Sequence, residues 1–244
     1  MNTPAFRFTQ LRKNYGKRPV LHGIDLQIGQ GEFFGLVGMN GAGKTTLLKC
    51  LLDFYATDGG SIEIGGVAHT ETTSRRPLAF LPERFMPPYN LNGRDFLKYI
   101  LKLQSLPYNE ALALEMLAAL DLDAAALSRP VRAYSKGMTQ KLVLDEPMSG
   151  LDPKARALLK AQLMRQREAG RTLFFSSHAL ADVEEICDRM AILHQGELRY
   201  VGSPAGCREQ FGAATLEQAY LTCIALGARA LLSFPATTGN PGRH

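Results

Sequence analysis

Cysteine is scarce in this chain, and its few cysteines are not spaced for joint chemistry. The four residues lie far apart, at Cys50, Cys187, Cys207 and Cys223, and none of them forms a CxxC pair. Zinc sites and disulfide frameworks need clustered or paired cysteines, so this spacing argues against both. We therefore expect reduced thiols of the kind that cytosolic proteins carry.

Long apolar runs are also missing from the sequence. No segment supplies the roughly 18 uninterrupted apolar residues of a membrane helix, and the N-terminal stretch has no apolar core suited to a signal peptide. The most apolar candidate, residues 216–234, contains Glu217, Gln218 and Arg229, which favour a packed or amphipathic helix. If the protein works at a membrane, we expect a partner to cross it.

Charge is modest and of both signs. The formal net charge is +5, with 45% hydrophobic and 21% charged residues, which is ordinary for a globular protein. Because no dense Lys/Arg stripe is present, we expect a solvated surface and no nucleic-acid partner, while attraction to anionic lipid remains open. The length of 244 residues suits one well-buried domain with a subdomain.

A glycine-rich loop follows a short apolar run. Residues 33–37 predict a buried strand and residues 45–52 a helix, and a complete P-loop joins them. Glycines let backbone N–H groups approach phosphate oxygens, and the helix N-terminus adds a positive dipole end. Lys44 should neutralise the β- and γ-phosphates, and the Thr45 hydroxyl should bind Mg²⁺. The predicted nucleotide-binding residues of this loop are Gly38, Asn40, Gly41, Ala42, Gly43, Lys44, Thr45 and Thr46.

Further short motifs occur in a definite order along the chain. They are Tyr15 in Leu-Arg-Lys-Asn-Tyr-Gly, Phe-Leu-Pro-Glu ending at Glu83, Tyr-Ser-Lys-Gly-Met at residues 134–138, an apolar triplet before Asp145 and Glu146, Ser-Gly-Leu-Asp at residues 149–152, and His178 after a predicted strand at residues 172–177. Together with the P-loop, this order resembles the nucleotide-binding subunits of ABC transporters over roughly residues 5–222. The 134–138 motif is similar to that of the ABC-2-type exporter branch.

The resemblance implies a role for each motif around one nucleotide. Tyr15 would stack on adenine. Asp145 and Glu83, which stands where most family members have glutamine, would help to bind Mg²⁺. Glu146 would orient or deprotonate the attacking water, and His178 would contact the γ-phosphate. The implied ligands are therefore ATP and Mg²⁺.

The resemblance also implies an assembly. Ser135 and Gly137 would contact the γ-phosphate bound by the opposite subunit, so that two copies, with a homodimer expected, would sandwich two ATP molecules. ATP would close this dimer and hydrolysis would open it, and a transmembrane permease would convert the cycle into export. The chain would be a peripheral protein on the cytoplasmic face of the membrane.

The segment between Ser135 and Asp145 departs from the family pattern. Only nine residues separate the two, and the chain is shorter there by roughly a dozen residues, about three helical turns. A degenerate copy, a truncated sequence and an active variant with a repacked subdomain all remain open. We expect hydrolysis to suffer more than nucleotide binding, because the P-loop lies upstream of the short segment.

The predicted fold is α/β, with a P-loop NTPase core around a mostly parallel sheet, an N-terminal β-rich part and a helical subdomain. We predict one domain, with its core at residues 1–83 and 140–213, the helical subdomain at 84–139 and a C-terminal tail at 214–244. Within it, residues 20–26 and 60–66 favour strands, 109–122 a helix with an apolar face, and 190–200 a hairpin around Gly196.

A transport-coupled ATPase subunit of a membrane exporter is the function that these motifs favour. One alternative is a subunit that binds ATP but hydrolyses it poorly, for which the short segment is the reason. Another is a non-transport ABC ATPase that acts on ribosomes or DNA. The presence of one cassette, without a long coiled coil or a basic linker, argues against the latter.

Overall fold

The computed structural model of this chain describes residues 3–76, 78, 90–103, 106–119, 122–130 and 153–232. The chain divides into two compact units, one made of residues 1–76 with 170–244 and the other of residues 77–169. The predicted limits of the core, the helical subdomain and the tail stay predictions.

The first unit contains two four-stranded sheets within its described residues. The strands are β1 (Phe6–Tyr15), β2 (Arg18–Ile28), β3 (Phe33–Val37), β4 (Gly59–Ile64), β5 (Val67–Ala68), β6 (Leu173–Ser177), β7 (Arg189–His194) and β8 (Glu197–Gly202). One sheet has the order β2-β1-β4-β5 and is antiparallel throughout. The other has the order β6-β3-β7-β8.

The second sheet supports the P-loop. Its central strand β3 pairs in parallel with β6 and β7, and β8 adds an antiparallel edge. β3 is buried along its whole length, as a strand with neighbours on both sides and both faces covered must be. The predicted strand before Asp145 lies outside the described residues, so the mostly parallel character of the complete core sheet stays a prediction.

Aromatic packing joins the two sheets. The Phe174 ring of β6 lies 5.8 Å from that of Phe6 and 6.3 Å from that of Phe8 in the antiparallel sheet, and 5.9 Å from Phe34 of β3. Phe6 and Phe8 point to this core because alternate residues of a strand face the same side. Aromatic side chains bury large apolar areas, so this cluster is a main source of stability for the unit.

The helices of the first unit are α1 (Lys44–Leu51), α2 (Thr72–Arg75), α6 (Leu180–Ile186), α7 (Pro204–Gln210) and α8 (Leu216–Leu232). The amphipathic helix predicted near the C-terminus is confirmed, because α8 buries Leu216, Ala219, Tyr220 and Cys223 at helical spacing and exposes Leu221. All four cysteines are buried and none forms a disulfide bond, as their spacing predicts.

No helix among the residues that the structure describes is long and apolar enough to cross a membrane.

The second unit is helical in its described residues. It contains α3 (Gly93–Leu103), α4 (Glu110–Ala119), a short 3-10 helix (Ala124–Leu127) and α5 (Pro153–Glu168). Leu117, Leu122 and Leu127 form a small core, against which Leu97 packs. Arg94 of α3 forms a forked hydrogen-bonded ion pair with Glu110 of α4, with contacts from 2.6 to 3.2 Å.

The helix predicted at residues 109–122 is present but shorter, and its burial differs from the prediction. α4 ends at Ala119, and Leu122 joins the core from beyond the helix. Leu112 and Met116 are 54% and 59% exposed, so only part of the apolar surface of α4 serves as core.

Candidate functional site

The P-loop connects a buried strand to a helix, as the sequence predicts. β3 ends at Val37 and α1 begins at Lys44. Gly43 precedes the helix with φ 109° and ψ 1°, a left-handed conformation that favours glycine. Because glycine has no side chain to cap the helix, the first N–H groups of α1 can bind an anion.

Close packing explains the first glycine of the loop. A Cβ at Gly38 would lie 2.4 Å from the main-chain oxygen of Leu193 in β7 and 3.2 Å from the Cβ of Ala42. Gly41, in contrast, has φ +82° and open space where its Cβ would be. The loop is therefore pressed against β7 at Gly38 and exposed at Gly41, where a ligand can approach its backbone.

The β7–β8 turn is hydrogen-bonded to the P-loop. The N–H of Gly196 donates to the carbonyl of Ala42 at 3.1 Å, and the N–H of His22 in β2 donates to the carbonyl of Gly196 at 3.0 Å. A Cβ at Gly196 would lie 2.3 Å from the main-chain oxygen of Val20. The predicted hairpin around Gly196 is thus confirmed, and its turn bridges the P-loop and the antiparallel sheet.

Lys44 folds back over the loop that precedes it. Its Nζ donates hydrogen bonds to the carbonyl oxygens of Gly38, at 2.5 Å, and Met39, at 3.1 Å. This places a positive charge beside the glycines rather than out in solvent. Thr45, next in the first turn of α1, is exposed, and Thr46 is buried. The two threonines therefore face different surroundings, and only Thr45 is open to a ligand.

The sheet brings His178 beside the P-loop. Ser177, the last residue of β6, is the register partner of Val37, the last residue of β3. His178 and Gly38 therefore leave adjacent parallel strands at the same edge, where neighbouring strands are about 4.8 Å apart. The His178 side chain is exposed there.

Tyr15 lies at the end of β1, close to α1. Its hydroxyl is 3.4 Å from the Oγ1 of Thr46, and its side chain is 46% exposed. The ring packs edge-to-face on Tyr55, with centroids 5.8 Å apart and an interplanar angle of 89°. A half-exposed aromatic ring in contact with α1, the helix that follows the P-loop, is suited to stacking on a planar base.

Several predicted site residues lie outside the described residues. They are Glu83, Ser135, Gly137, Asp145 and Glu146, together with the Ser-Gly-Leu-Asp motif at residues 149–152. The structure therefore brings together one part of the predicted set, namely the P-loop, Tyr15 and His178, and leaves the roles of the others as predictions.

Sequence reasoning missed Tyr55 and Lys49. The Lys49 ammonium lies 5.0 Å from the centre of the Tyr55 ring and 3.3 Å from its hydroxyl. The signal available in the sequence was the spacing of Thr46 and Lys49, which are three residues apart and so share one face of α1. Nothing in the sequence pattern pointed to the pairing of Tyr55 with Tyr15.

Comparison with known proteins decides the family. A family profile described as "ABC transporter" matches residues 21–149, more than half of the chain. The chain belongs to the ABC transporter family.

Individual relatives in this family support the assignment. An uncharacterized ABC transporter ATP-binding protein from Synechocystis is 40% identical over 199 residues, which cover 75% of this chain and 56% of that protein. The linearmycin resistance ATP-binding protein LnrL of Bacillus subtilis is 29% identical over 225 residues, which cover 85% of this chain and 72% of the relative. The chain thus spans little more than half the length of the Synechocystis protein.

A solved structure has the same fold. The structure described as the ATP-binding subunit of an ABC transporter matches with a TM-score of 0.83 and 28% identity, over 90% of this chain and 99% of the other. This establishes the ABC ATPase fold, of α/β class, for the chain.

The described part of the site is suited to binding the nucleotide that the family implies. Gly38 packs closely against Leu193 of β7, while nothing lies within 4 Å of a Cβ position at Gly41, so the loop backbone is open to a ligand there. An uncapped helix end and the Lys44 ammonium supply the positive potential that a triphosphate needs. The exposed Thr45 hydroxyl is a hard oxygen donor of the kind that Mg²⁺ prefers.

Proposed function

We propose that this chain is the ATP-binding and ATP-hydrolysing subunit of a membrane exporter, and that ATP-driven closure of a dimer powers transport. The observation that carries the proposal is the geometry of the P-loop: a buried strand, a glycine-rich loop whose backbone is open at Gly41, an uncapped helix and Lys44 folded back over the loop. This arrangement binds phosphate groups by general physical principles, independently of any family.

Each residue of the proposed site has a chemical task. The P-loop amides and Lys44 bind the β- and γ-phosphates, and Tyr15 stacks on the base. His178, at the same sheet edge as the P-loop, contacts the γ-phosphate. Glu146 orients the attacking water and accepts its proton. We infer that Glu146 does so from a further parallel strand, which completes a mostly parallel core sheet.

Metal binding is shared among oxygen donors. Thr45, Asp145 and Glu83 would hold Mg²⁺ directly or through water. When bound, Mg²⁺ supplies neutralisation of the charge that builds up on the phosphate oxygens in the transition state. The protein contribution is to place the Thr45 hydroxyl at the first turn of α1, next to Lys44.

Partners follow from the same proposal. Ser135 and Gly137 of one copy would complete the site of the opposite copy in a homodimer. A transmembrane permease would bind the exported substrate, and this chain would lie against it on the cytoplasmic face of the membrane. The export direction is supported by the resistance role in the name of the LnrL relative.

A second candidate is a subunit that binds ATP but turns it over poorly. The observation that favours it is the nine-residue spacing between Ser135 and Asp145. Four residues, from Met138 to Lys141, lie between Gly137 and the apolar triplet before Asp145, and these make only about one helical turn.

Binding of ATP by the purified chain tests the common part of both candidates. We expect Lys44→Met to weaken Mg-ATP binding about 10- to 100-fold in calorimetric titration, because it removes a charged hydrogen-bond donor from the phosphates. Lys102→Met, which removes the same charge at an exposed position of α3, is the matched control and should leave the affinity unchanged. Equal affinities for the wild type and Lys44→Met would overturn the proposal.

A further inference from the structure

The loop that follows α1, residues 53–58, holds the end of β1 that carries Tyr15. The 53–58 loop presents Tyr55, whose ring meets that of Tyr15 at 89° with 5.8 Å between centroids. In this edge-to-face arrangement the positive edge of one ring faces the negative face of the other, so the contact favours one relative orientation.

Polar contacts from the same loop hold the residues just before Tyr15. Asp58 Oδ2 accepts hydrogen bonds from the backbone N–H of Asn14 at 2.6 Å and lies 3.1 Å from Lys13 Nζ. Lys13 Nζ also donates to the carbonyl of Ala56 at 2.6 Å. The Asn14 N–H, followed by Lys13, keeps the pKa of Asp58 below its usual range. The carboxylate is therefore charged at neutral pH, and the backbone next to Tyr15 is anchored on the 53–58 loop.

The helix of the P-loop contacts both aromatic rings. Lys49 Nζ lies 5.0 Å from the centre of the Tyr55 ring and 3.3 Å from the Tyr55 hydroxyl. One turn earlier, Thr46 Oγ1 lies 3.4 Å from the Tyr15 hydroxyl. A cation held over an aromatic ring is attracted to its face. α1 thus restrains Tyr55 through Lys49 and Tyr15 through Thr46.

We propose that Tyr55 is a positioning residue for nucleotide binding: held by Lys49, its ring fixes Tyr15 in the orientation that receives the base. The inference rests on the proposed function, in which Tyr15 stacks on adenine. Tyr15 keeps 46% of its side chain exposed while packed on Tyr55, so the pair leaves surface for a base. Tyr55 acts through Tyr15, and binding of the phosphates does not depend on Tyr55.

Preorganisation is the physical reason for the effect. A half-exposed tyrosine that samples several rotamers must lose that freedom when a base stacks on it, which reduces affinity. The free energy of an edge-to-face aromatic pair is large enough to change an equilibrium constant by about threefold to tenfold. Removal of the Tyr55 ring should therefore weaken binding of a ligand with a base and leave a ligand without a base unaffected.

The experiment compares Mg-ATP with Mg-tripolyphosphate, which presents phosphates without a base. Dissociation constants are measured by calorimetric titration for the wild type, Tyr55→Leu, Tyr55→Phe, Tyr15→Leu and the double variant Tyr15→Leu/Tyr55→Leu. Leucine keeps apolar bulk at each position, so folding is protected. Phe54→Leu, a change of an adjacent aromatic residue whose side chain is 60% exposed, is the matched control.

The expected pattern is specific to positioning. Tyr55→Leu weakens ATP binding about threefold to tenfold and leaves tripolyphosphate binding within about twofold. Tyr55→Phe, which keeps the ring and loses only the hydroxyl contact with Lys49, retains most of the ATP affinity. In the Tyr15→Leu background the Tyr55→Leu change has no further effect, because coupled residues are not additive.

Several results would overturn the inference. One is an unchanged ATP affinity in Tyr55→Leu. Another is an equal loss of affinity for ATP and tripolyphosphate, which indicates a merely structural role. A third is full additivity of the Tyr55→Leu and Tyr15→Leu effects on ATP binding. Failure of the underlying proposal has a different signature. If the wild type binds neither ligand, or binds ATP without dependence on Tyr15, the proposed nucleotide site itself is wrong. A Tyr15-dependent wild type with an inert Tyr55 rejects only the role of Tyr55.

Discussion

Val37 and Ser177 are register partners on the parallel strands β3 and β6, so the residues that follow them, Gly38 and His178, leave the sheet side by side. The two come from sequence positions that are far apart, and only strand pairing brings them together. The arrangement places an imidazole at the sheet edge where the P-loop begins, in agreement with the proposed contact between His178 and the terminal phosphate.

Replacement of His178 tests this juxtaposition. We expect His178→Ala to lower the rate of Mg-ATP hydrolysis about 10- to 100-fold, by loss of one hydrogen bond to a charged group in the transition state. ATP affinity should change less than about threefold, because the P-loop supplies most of the phosphate contacts. Steady-state kinetics with a parallel binding titration separate the two. His194→Ala at the end of β7 is the control, and equal losses of turnover in both variants would contradict the role of His178.

The close approach of Gly38 to β7 predicts an asymmetry between two glycines of the same loop. Gly38→Ala forces a Cβ to within 2.4 Å of the Leu193 oxygen, so main chain must move, and overpacking of this kind costs about 1–3 kcal/mol of unfolding free energy. Gly41→Ala meets no neighbour within 4 Å and bears only the left-handed backbone cost of about 1–2 kcal/mol.

Urea unfolding of the two variants measures this difference. We expect Gly38→Ala to be the less stable of the two and to lose more ATP affinity, since the backbone that it displaces is the start of the P-loop. A Gly38→Ala variant as stable as the wild type would mean that the loop is not packed against β7.

The ion pair between α3 and α4 makes the stability of the helical unit dependent on pH. Hydrogen bonds from Arg94 and then from Tyr108 lower the pKa of Glu110 to about 2 from 4.5. A carboxyl group whose pKa is depressed on folding stabilises the protein above its unfolded pKa, and this contribution is lost as the pH falls through the folded pKa. The relevant window is therefore about pH 4.5 down to about 2.

Glu110→Gln measures this contribution. The variant should have a lower urea midpoint than the wild type at pH 7. The difference between the two midpoints should become smaller as the pH is reduced from 5 toward 3. Glu115→Gln, an exposed carboxylate of the same helix outside this cluster, should give no such convergence. A gap between Glu110→Gln and the wild type that stays constant across this range would exclude the ion pair as its cause.

The short segment between Ser135 and Asp145 predicts an effect on turnover rather than on binding. We expect a helical spacer inserted between Met138 and Leu142 to raise the hydrolysis rate and to leave the Mg-ATP dissociation constant within about threefold, because the P-loop contacts are upstream. A flexible Gly-Ser spacer of equal length is the control. If both spacers leave turnover unchanged, the natural spacing does not limit catalysis.

The parts of the fold that sequence predicts well are those encoded within one segment. The strand from Phe33 to Val37, the glycine loop and the following helix are specified by a continuous motif, and the turn at Gly196 is marked by its own glycine. Alternation at residues 20–26 and 60–66 also predicted the strands that the structure has as β2 and β4, but not the antiparallel sheet that they form with β1 and β5.

Other features could not be predicted, because they arise from contacts between distant segments. The pairing of Tyr15 with Tyr55 depends on the register of β1 against the 53–58 loop, and the hydrogen bond of Gly196 to Ala42 depends on the position of β7. No residue pattern within either segment carries that information. The exposure of Leu112 and Met116 was missed for a related reason. The apolar pattern of a helix does not show which neighbouring elements cover that helix.

Mg-ATP hydrolysis by the purified chain, measured beside Glu146→Gln, tests the account most directly. We predict that the wild type hydrolyses ATP and that Glu146→Gln loses turnover about 10²- to 10⁴-fold, while both bind ATP with similar affinity. That result would establish an ATPase whose proton acceptor is Glu146. Binding without any turnover in the wild type would restrict the chain to an ATP-binding role. Equal turnover in both, or no ATP binding by either, would contradict the account.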